Sequence, residues 1–216
     1  MRSAFDRRVV PEEILTLVRA CQRAVPCHLS GGAALSGAHL AHRLSADIDV
    51  FCHDVEDVRT LVRELPAIAK ATGLAISIVR DSASFVRCSV EGASRPVELD
   101  LVFEPLSDLE PPVACEDVVV ESFADLRAAK LTCLLSRSEP RDLVDVLFLE
   151  RSGFAVEQDL PLARRKDAGI DPGVLAWLLR TFPTRPLPVM LEPLDEAELR
   201  SFRDALAERL KRAARP

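Results

Sequence analysis

Ser30-Gly31-Gly32 and, a short stretch later, His42-Arg43-Leu44-Ser45-Ala46-Asp47-Ile48-Asp49-Val50-Phe51 decide how this chain is read. Two glycines at a strand-to-helix turn let backbone approach a phosphate closely, and a helix start beyond them presents free N–H groups and the positive end of a dipole. From Asp47 to Cys52 the residues alternate, with Ile48 and Val50 on one side of a strand and Asp47 and Asp49 on the other. Two carboxylates two positions apart on a strand share a face, about 6–7 Å apart along the backbone. Like charges so close call for a cation between them, and Mg²⁺ is the natural one. A third acid on a neighbouring strand would complete a two-metal arrangement for displacement at phosphorus. Asp100 is the candidate, in the alternating run Val97-Glu98-Leu99-Asp100-Leu101-Val102-Phe103. Each piece has a plainer reading: a turn, a solvated strand face, an outward residue of an edge strand. Their joint order and spacing favour the metal site.

Working outward, Pro11-Glu12-Glu13 suits a helix start, and Ile14, Leu17, Val18 and Cys21 form its apolar stripe. A short strand runs to Leu29, and 33–42 reads as a helix. Asp54 caps a further helix that runs to about Thr72, with Asp57 completing a capping pair and Gly73 ending it. Strand-like runs follow over 74–79, 84–90 and 96–103. The second half changes character: helices are expected over 122–137, with a capping box at Ser122 and Asp125, and over 140–151, 155–167, 172–181 and 195–214. A proline-rich connector holding Pro183, Pro186, Pro188 and Pro193 precedes the last of these. The expected fold is α/β (α+β): a mixed-sheet lobe with flanking helices over 1–120, then a helical lobe over 121–216.

Composition narrows the function classes. The 216 residues are 48% hydrophobic and 29% charged, an ordinary globular mix that excludes disorder over most of the chain. Aromatics make up 5%, with no tyrosine, and the net charge is −6. A base-stacking surface and a broad basic field for nucleic acid are both unlike this, so any nucleic-acid contact must be local. The N-terminus lacks an apolar signal-peptide core and no apolar run is long enough for a membrane span, so a cytoplasmic protein is expected. The six cysteines form no Cys-x-x-Cys pair and read as mostly buried free thiols. Lys70, Lys130, Lys166 and Lys211 are the only lysines among 28 basic residues, which draws attention to each.

The Gly-Gly turn followed by His-Arg-x-Ser-x-Asp-Ile-Asp resembles the signature of the AbiEii/AbiGii toxin group of minimal nucleotidyltransferases, within the DNA polymerase β superfamily. Ala128-Ala129-Lys130-Leu131, then Arg137-x-x-x-Arg141-Asp142-Leu143-Val144-Asp145, is similar to that group's "A-K-L … R … R-D-x-x-D" helical segment. The match spans roughly residues 28–150. The resemblance implies that Gly31 and Gly32 hold nucleotide phosphates, with Ser30 or Ser45 hydrogen-bonding them. It implies that Asp47 and Asp49 bind two Mg²⁺ ions, that Asp100 ligates the ion activating the attacking hydroxyl, and that Lys130 contacts the triphosphate of the NTP. Asp142 and Asp145 would order the helical lobe or the nucleotide pocket. On the residues alone they equally pair with Arg141 or Arg137, and Lys130 competes with a surface-lysine reading. Glu98 reads as an outward residue further from the metals. His42 reads as a cap or packing group, and His28, His39 and His53 show no mutual metal-ligand spacing.

The implied activity is transfer of NMP from an NTP to a hydroxyl, releasing pyrophosphate. The toxin group suggests an RNA acceptor such as a tRNA end, or a protein, together with a cognate antitoxin. Six basic against two acidic residues over 200–216, and the cluster Arg164-Arg165-Lys166, would steer a phosphate backbone or else form solvated helix faces. Two other readings stand beside this: a small-molecule transferase acting on an aminoglycoside-like hydroxyl, and a non-catalytic binding protein on the same fold. The three retained carboxylates argue against the last, because surplus buried acids are costly without metal.

Overall fold

The structure is a computed structural model that describes residues 3–214. Helix α1 (Glu12–Ala24) starts directly after Pro11 with Glu12 and Glu13 in its first turn, where carboxylates complement the helix dipole. Strand β1 (His28–Ser30) leads into α2 (Gly31–Ala34), which widens into a π-helical turn over Leu35–Leu40. The helix expected over 33–42 thus begins two residues earlier. It closes when the Ala41 N–H reaches the Ser36 carbonyl oxygen, five residues back, at 2.7 Å, with Ala41 itself left-handed.

Strand β2 (Asp47–Cys52) is followed by α3 (Val55–Thr72). The Asp54 carboxylate caps α3 by accepting from the Glu56 N–H at 2.9 Å, and Gly73 ends it in the left-handed conformation. Then come β3 (Ala75–Asp81), β4 (Phe85–Glu91) and β5 (Val97–Phe103). A hairpin of β6 (Val113–Cys115) and β7 (Val118–Val120) was not legible in the sequence. Its strands are too short to show alternation, and its turn places Glu116 at φ +53° rather than using glycine.

The seven strands form one mixed sheet in the order β3-β4-β5-β2-β1-β7-β6. Strand β2 runs parallel to β5 and antiparallel to β1. Asp100 therefore lies on an interior strand, not on an edge. Alternation gives the central strands two unlike faces. Leu29, Ile48, Val50, Val86, Cys88, Leu99 and Leu101 are fully buried, as are Ile14, Leu17, Val18 and Cys21 of α1 and Val58 and Leu61 of α3. The opposite face carries the polar residues.

Chain contacts divide the molecule into two compact units after Phe123. The second contains most of α4 (Phe123–Ser136), then α5 (Pro140–Arg151), α6 (Val156–Lys166), α7 (Pro172–Leu179) and α8 (Glu196–Ala213). All five fall where helices are expected. The six cysteines are free thiols, four of them buried. No helix among the described residues is long and apolar enough to cross a membrane.

Candidate functional site

Strand register assembles the acidic face. Asp49 lies opposite Asp100 on β5 and opposite Ser30 on β1, and Asp100 lies opposite Arg87 on β4. Residues in register on neighbouring strands project to the same side, so Arg87, Asp100, Asp49 and Ser30 form one row, with strands about 4.8 Å apart. Asp47 and Glu98 form the next row on that face. Asp47 and Asp49 are half-buried, and Asp100 is buried at 4% exposure.

Gly31 fits where no other residue would. It adopts φ +66°, and a Cβ built on it would lie 1.9 Å from Asp49 Oδ2. The turn therefore lays bare backbone directly against a carboxylate of the acidic row. A Cβ on Gly32 would meet Arg43 Nη2 at 2.7 Å and Ser45 Oγ at 2.8 Å, so a guanidinium and a hydroxyl border the same turn. Arg43 is buried, and its Nη1 donates to the Leu44 carbonyl at 2.8 Å. Arg95 Nη2 donates to the Ser45 carbonyl at 2.7 Å and to the Val9 carbonyl at 2.9 Å, which fixes the approach to β2. The Ser30 hydroxyl, one of the two for which the family resemblance implies a phosphate contact, donates to the buried carboxylate of Glu121.

Arg87 is the site residue that sequence reasoning missed. Its Nε donates to Asp100 Oδ1 at 2.8 Å and its Nη2 to Asp100 Oδ2 at 2.7 Å, while Nη1 reaches Glu98 Oε2 at 2.9 Å. The hydrogen bond to Asp100 raises the Arg87 pKa further above its already high value, with the charges of Asp100, Glu98 and Asp47 adding to it. No motif marks Arg87. Only its register opposite Asp100 gives it a role, and register is invisible in a single sequence. Glu98, expected outward, is held by this same guanidinium.

Asp47, Asp49 and Asp100 supply only oxygen donors, the chemistry that suits Mg²⁺. The Arg87 fork uses one lone pair on each Asp100 oxygen and leaves the second for another partner. The Gly31 backbone lies directly against the Asp49 carboxylate, an approach that a Cβ would prevent. The residues present fit such an ion.

Lys130, Asp142 and Asp145 lie in the helical unit and form a cluster of their own. Lys130 Nζ is 2.8 Å from Asp145 Oδ2 and 3.5 Å from Asp142 Oδ1. Both carboxylates are fully buried and Lys130 is nearly so. Arg137 grips Asp142 through Nε at 2.8 Å and Nη2 at 2.9 Å, and this hydrogen bond raises the Arg137 pKa. The pairing weighed for Asp142 with Arg137 is thus present, whereas Arg141 pairs with Glu139. The surface-lysine alternative for Lys130 does not hold.

In the basic cluster Arg164-Arg165-Lys166, Arg164 and Arg165 are exposed, whereas Lys166 is largely buried 2.7 Å from Asp125. Along α8, Arg200, Arg203 and Arg209 pair with Glu196, Asp204, Glu150 and Glu157. Arg215 of that basic stretch, like Met1 and Arg2 at the other terminus, lies outside the described residues. His28 and His53, given no role from spacing, come together with Asp108 in the sheet unit.

Residues 17–216 match the family described as nucleotidyl transferase AbiEii toxin, type IV TA system. Three solved structures share the fold. A Helicobacter pylori protein provisionally described as a nucleotidyltransferase is 22% identical, with a TM-score of 0.62 over 94% of this chain and 93% of that one. JHP933, also from Helicobacter pylori, is 21% identical, with a TM-score of 0.59 over 95% and 94%. The nucleotidyltransferase toxin MenT4 from Mycobacterium tuberculosis is 17% identical, with a TM-score of 0.53 over 94% and 87%. No curated protein matches the chain closely enough to count as a relative. With nearly the whole length matched and its acidic motif on the central strands of the sheet, the chain belongs to the AbiEii family of nucleotidyltransferase toxins.

Proposed function

We propose that this protein is a Mg²⁺-dependent transferase that moves NMP from an NTP to a hydroxyl of an RNA acceptor such as a tRNA end, acting in the cytoplasm under control of a cognate antitoxin. The observation that carries the reading is the row in which Asp49 and Asp100 stand in register on adjacent parallel strands, with Asp47 on the same face and Gly31 against the Asp49 carboxylate. Asp47, Asp49 and Asp100 are the residues to hold two Mg²⁺ ions. When bound, such ions lower the pKa of an attacking hydroxyl and neutralise charge on the triphosphate.

The chain's own groups do the rest by positioning. The backbone N–H groups at Gly31 and Gly32, with the Ser45 hydroxyl beside them, donate to the phosphates, and the missing Cβ atoms let this turn pack against Asp49, Arg43 and Ser45. Arg87 fixes both oxygens of Asp100, so this carboxylate is oriented before any substrate arrives. Lys130, Asp142 and Asp145 order the helical unit. The triphosphate contact that the family resemblance implies for Lys130 requires its ammonium to leave two buried carboxylates.

The test is transfer of label from each α-labelled NTP, with Mg²⁺, to total RNA and separately to a protein extract. Label is expected on RNA. Asp49→Asn is expected to lower the rate by about 1000-fold or more, the scale on which enzymes lose groups that manage developing charge. Label on protein alone would replace the acceptor in this proposal. No label on any acceptor, from folded protein supplied with metal, would overturn it.

A further inference from the structure

A second cluster in the sheet unit has a different chemistry from the acidic row. His28 opens β1 and is buried, His53 directly follows β2, and Asp108 lies in the 104–112 segment that follows β5. The antiparallel register of β1 and β2 puts His28 opposite Phe51, which brings the start of one strand beside the end of the other. The rings of His28 and His53 are 5.5 Å apart between centroids. One ligand atom from each of His28, His53 and Asp108 lies within 4.8 Å of the others.

The hydrogen bonds of His53 define what its ring can do. Nδ1 is 3.0 Å from the Glu104 carbonyl oxygen. A carbonyl only accepts, so Nδ1 carries the proton and the Nε2 lone pair faces outward. Nε2 points at Asp108 Oδ1, 3.1 Å away. A lone pair and a carboxylate oxygen at that distance need a cation between them, either a second proton on the ring or a metal ion. A backbone carbonyl on the far nitrogen is the outer contact that orients a metal-ligating imidazole.

We propose that His28, His53 and Asp108 form a binding site for a divalent ion of the Zn²⁺ class, separate from the acidic row, which ties the 104–112 segment to the adjoining ends of β1 and β2. Two imidazole nitrogens and one carboxylate oxygen are borderline donors that select Zn²⁺ or Co²⁺ over Mg²⁺. Bonds of about 2 Å hold tetrahedral ligands about 3.3 Å apart. The three atoms close to that spacing by movement of His53, whose side chain is 40% exposed, and of the segment carrying Asp108. A cavity of about 480 Å³ lined by Gln22, Cys27, His28, His53, Asp57 and Asp108 gives the ion a path and room for water as a fourth ligand. Cys27 lines the same cavity, but its sulfur is not among the atoms that converge. The site is distinct from the acidic row: Asp49 and His53 are four residues apart, about 13 Å at the rise of a strand.

The probe is Co²⁺, titrated into the chelator-treated full chain in a large excess of Mg²⁺, with visible absorption as the readout and Zn²⁺ as competitor. A single equivalent is expected to bind with a ligand-field spectrum of nitrogen and oxygen donors, and Zn²⁺ is expected to displace it. His53→Ala and Asp108→Asn, both at exposed or half-buried positions, are each expected to weaken binding by about tenfold or more. Asp47→Asn/Asp49→Asn is expected to leave it unchanged, which separates this site from the proposed catalytic one. Thermal midpoints confirm that each variant is folded. Absence of Co²⁺ binding to the intact protein, or binding that survives His53→Ala, would overturn the proposal and leave His53 and Asp108 as an imidazolium ion pair.

Discussion

In the sheet unit, Asp47 and Asp49 stand half-exposed beside Asp100, which is buried and gripped through both oxygens by Arg87. In the helical unit, Asp142 and Asp145 have no exposure at all and are met by Lys130 and Arg137 at 2.8–3.5 Å. Both regions concentrate carboxylates on regular elements, but their surroundings differ. Fully buried acids must be matched by charge inside the fold, since an uncompensated charge there is very costly. Acids at a half-open sheet face stay within reach of water and of an external cation. The first arrangement stabilises one structure, and the second leaves chemistry to be supplied from outside.

The largest effect that tests this contrast is on stability. Asp145→Ala leaves Lys130 buried with a lost partner, and is expected to destabilise the protein by about 3–5 kcal/mol in urea unfolding. Replacing both members with apolar residues, Lys130→Met/Asp145→Leu, should recover much of that loss, because the remaining Asp142 keeps Arg137. Asp49→Asn at the half-open face should stay within about 1 kcal/mol of the parent. Equal losses for Asp49→Asn and Asp145→Ala would erase the distinction.

A smaller effect separates close contact from backbone strain. Gly31 and Gly73 share a left-handed φ, +66° and +73°, but a Cβ on Gly73 meets nothing within 4 Å while one on Gly31 strikes the Asp49 carboxylate. Gly73→Ala should therefore cost about 1–2 kcal/mol of stability through conformation alone and leave label transfer intact. Gly31→Ala carries the same strain and also displaces Asp49, for an expected further loss of about 100-fold in transfer rate, the effect of a roughly 1 Å misplacement. Equal activity in the two variants would show that the Gly31 contact does not position Asp49.

These residues also show what a single sequence reveals. Alternation announced β2 and β5, and the glycine pair announced the turn beside them, because period and backbone freedom are local properties. The helices of the second unit were legible for the same reason, from caps and apolar spacing. Partners across strands were not. Arg87 acquires its role from a register set by two neighbouring strands, and His28 and His53 are brought together by the antiparallel pairing of β1 with β2. The sense of a charged helix residue was also hidden: Lys130 and Lys166 sit on helices with ordinary charge content, and only tertiary packing turns them into buried partners of Asp145 and Asp125.

The smallest expected effect concerns a group that belongs to neither set of acids. His39 stacks on Phe123 with ring centroids 4.3 Å apart, and neither ring nitrogen has a hydrogen-bond partner. Burial pushes its pKa down from 6.5 to about 4, because the charged ring loses hydration in the folded state. As pH falls through about 6.5 the unfolded chain takes up the proton first, so the stabilisation due to neutral His39 is complete above that pH and is lost as pH falls toward 4. Partial solvent access limits the loss to about 1 kcal/mol. His39→Phe keeps the stack and removes the titration. Its stability should fall less between pH 7 and pH 5 than that of the parent, in a window above the range where carboxylates protonate. Parallel pH profiles for the two proteins would assign the slope to other groups and sink this account of His39.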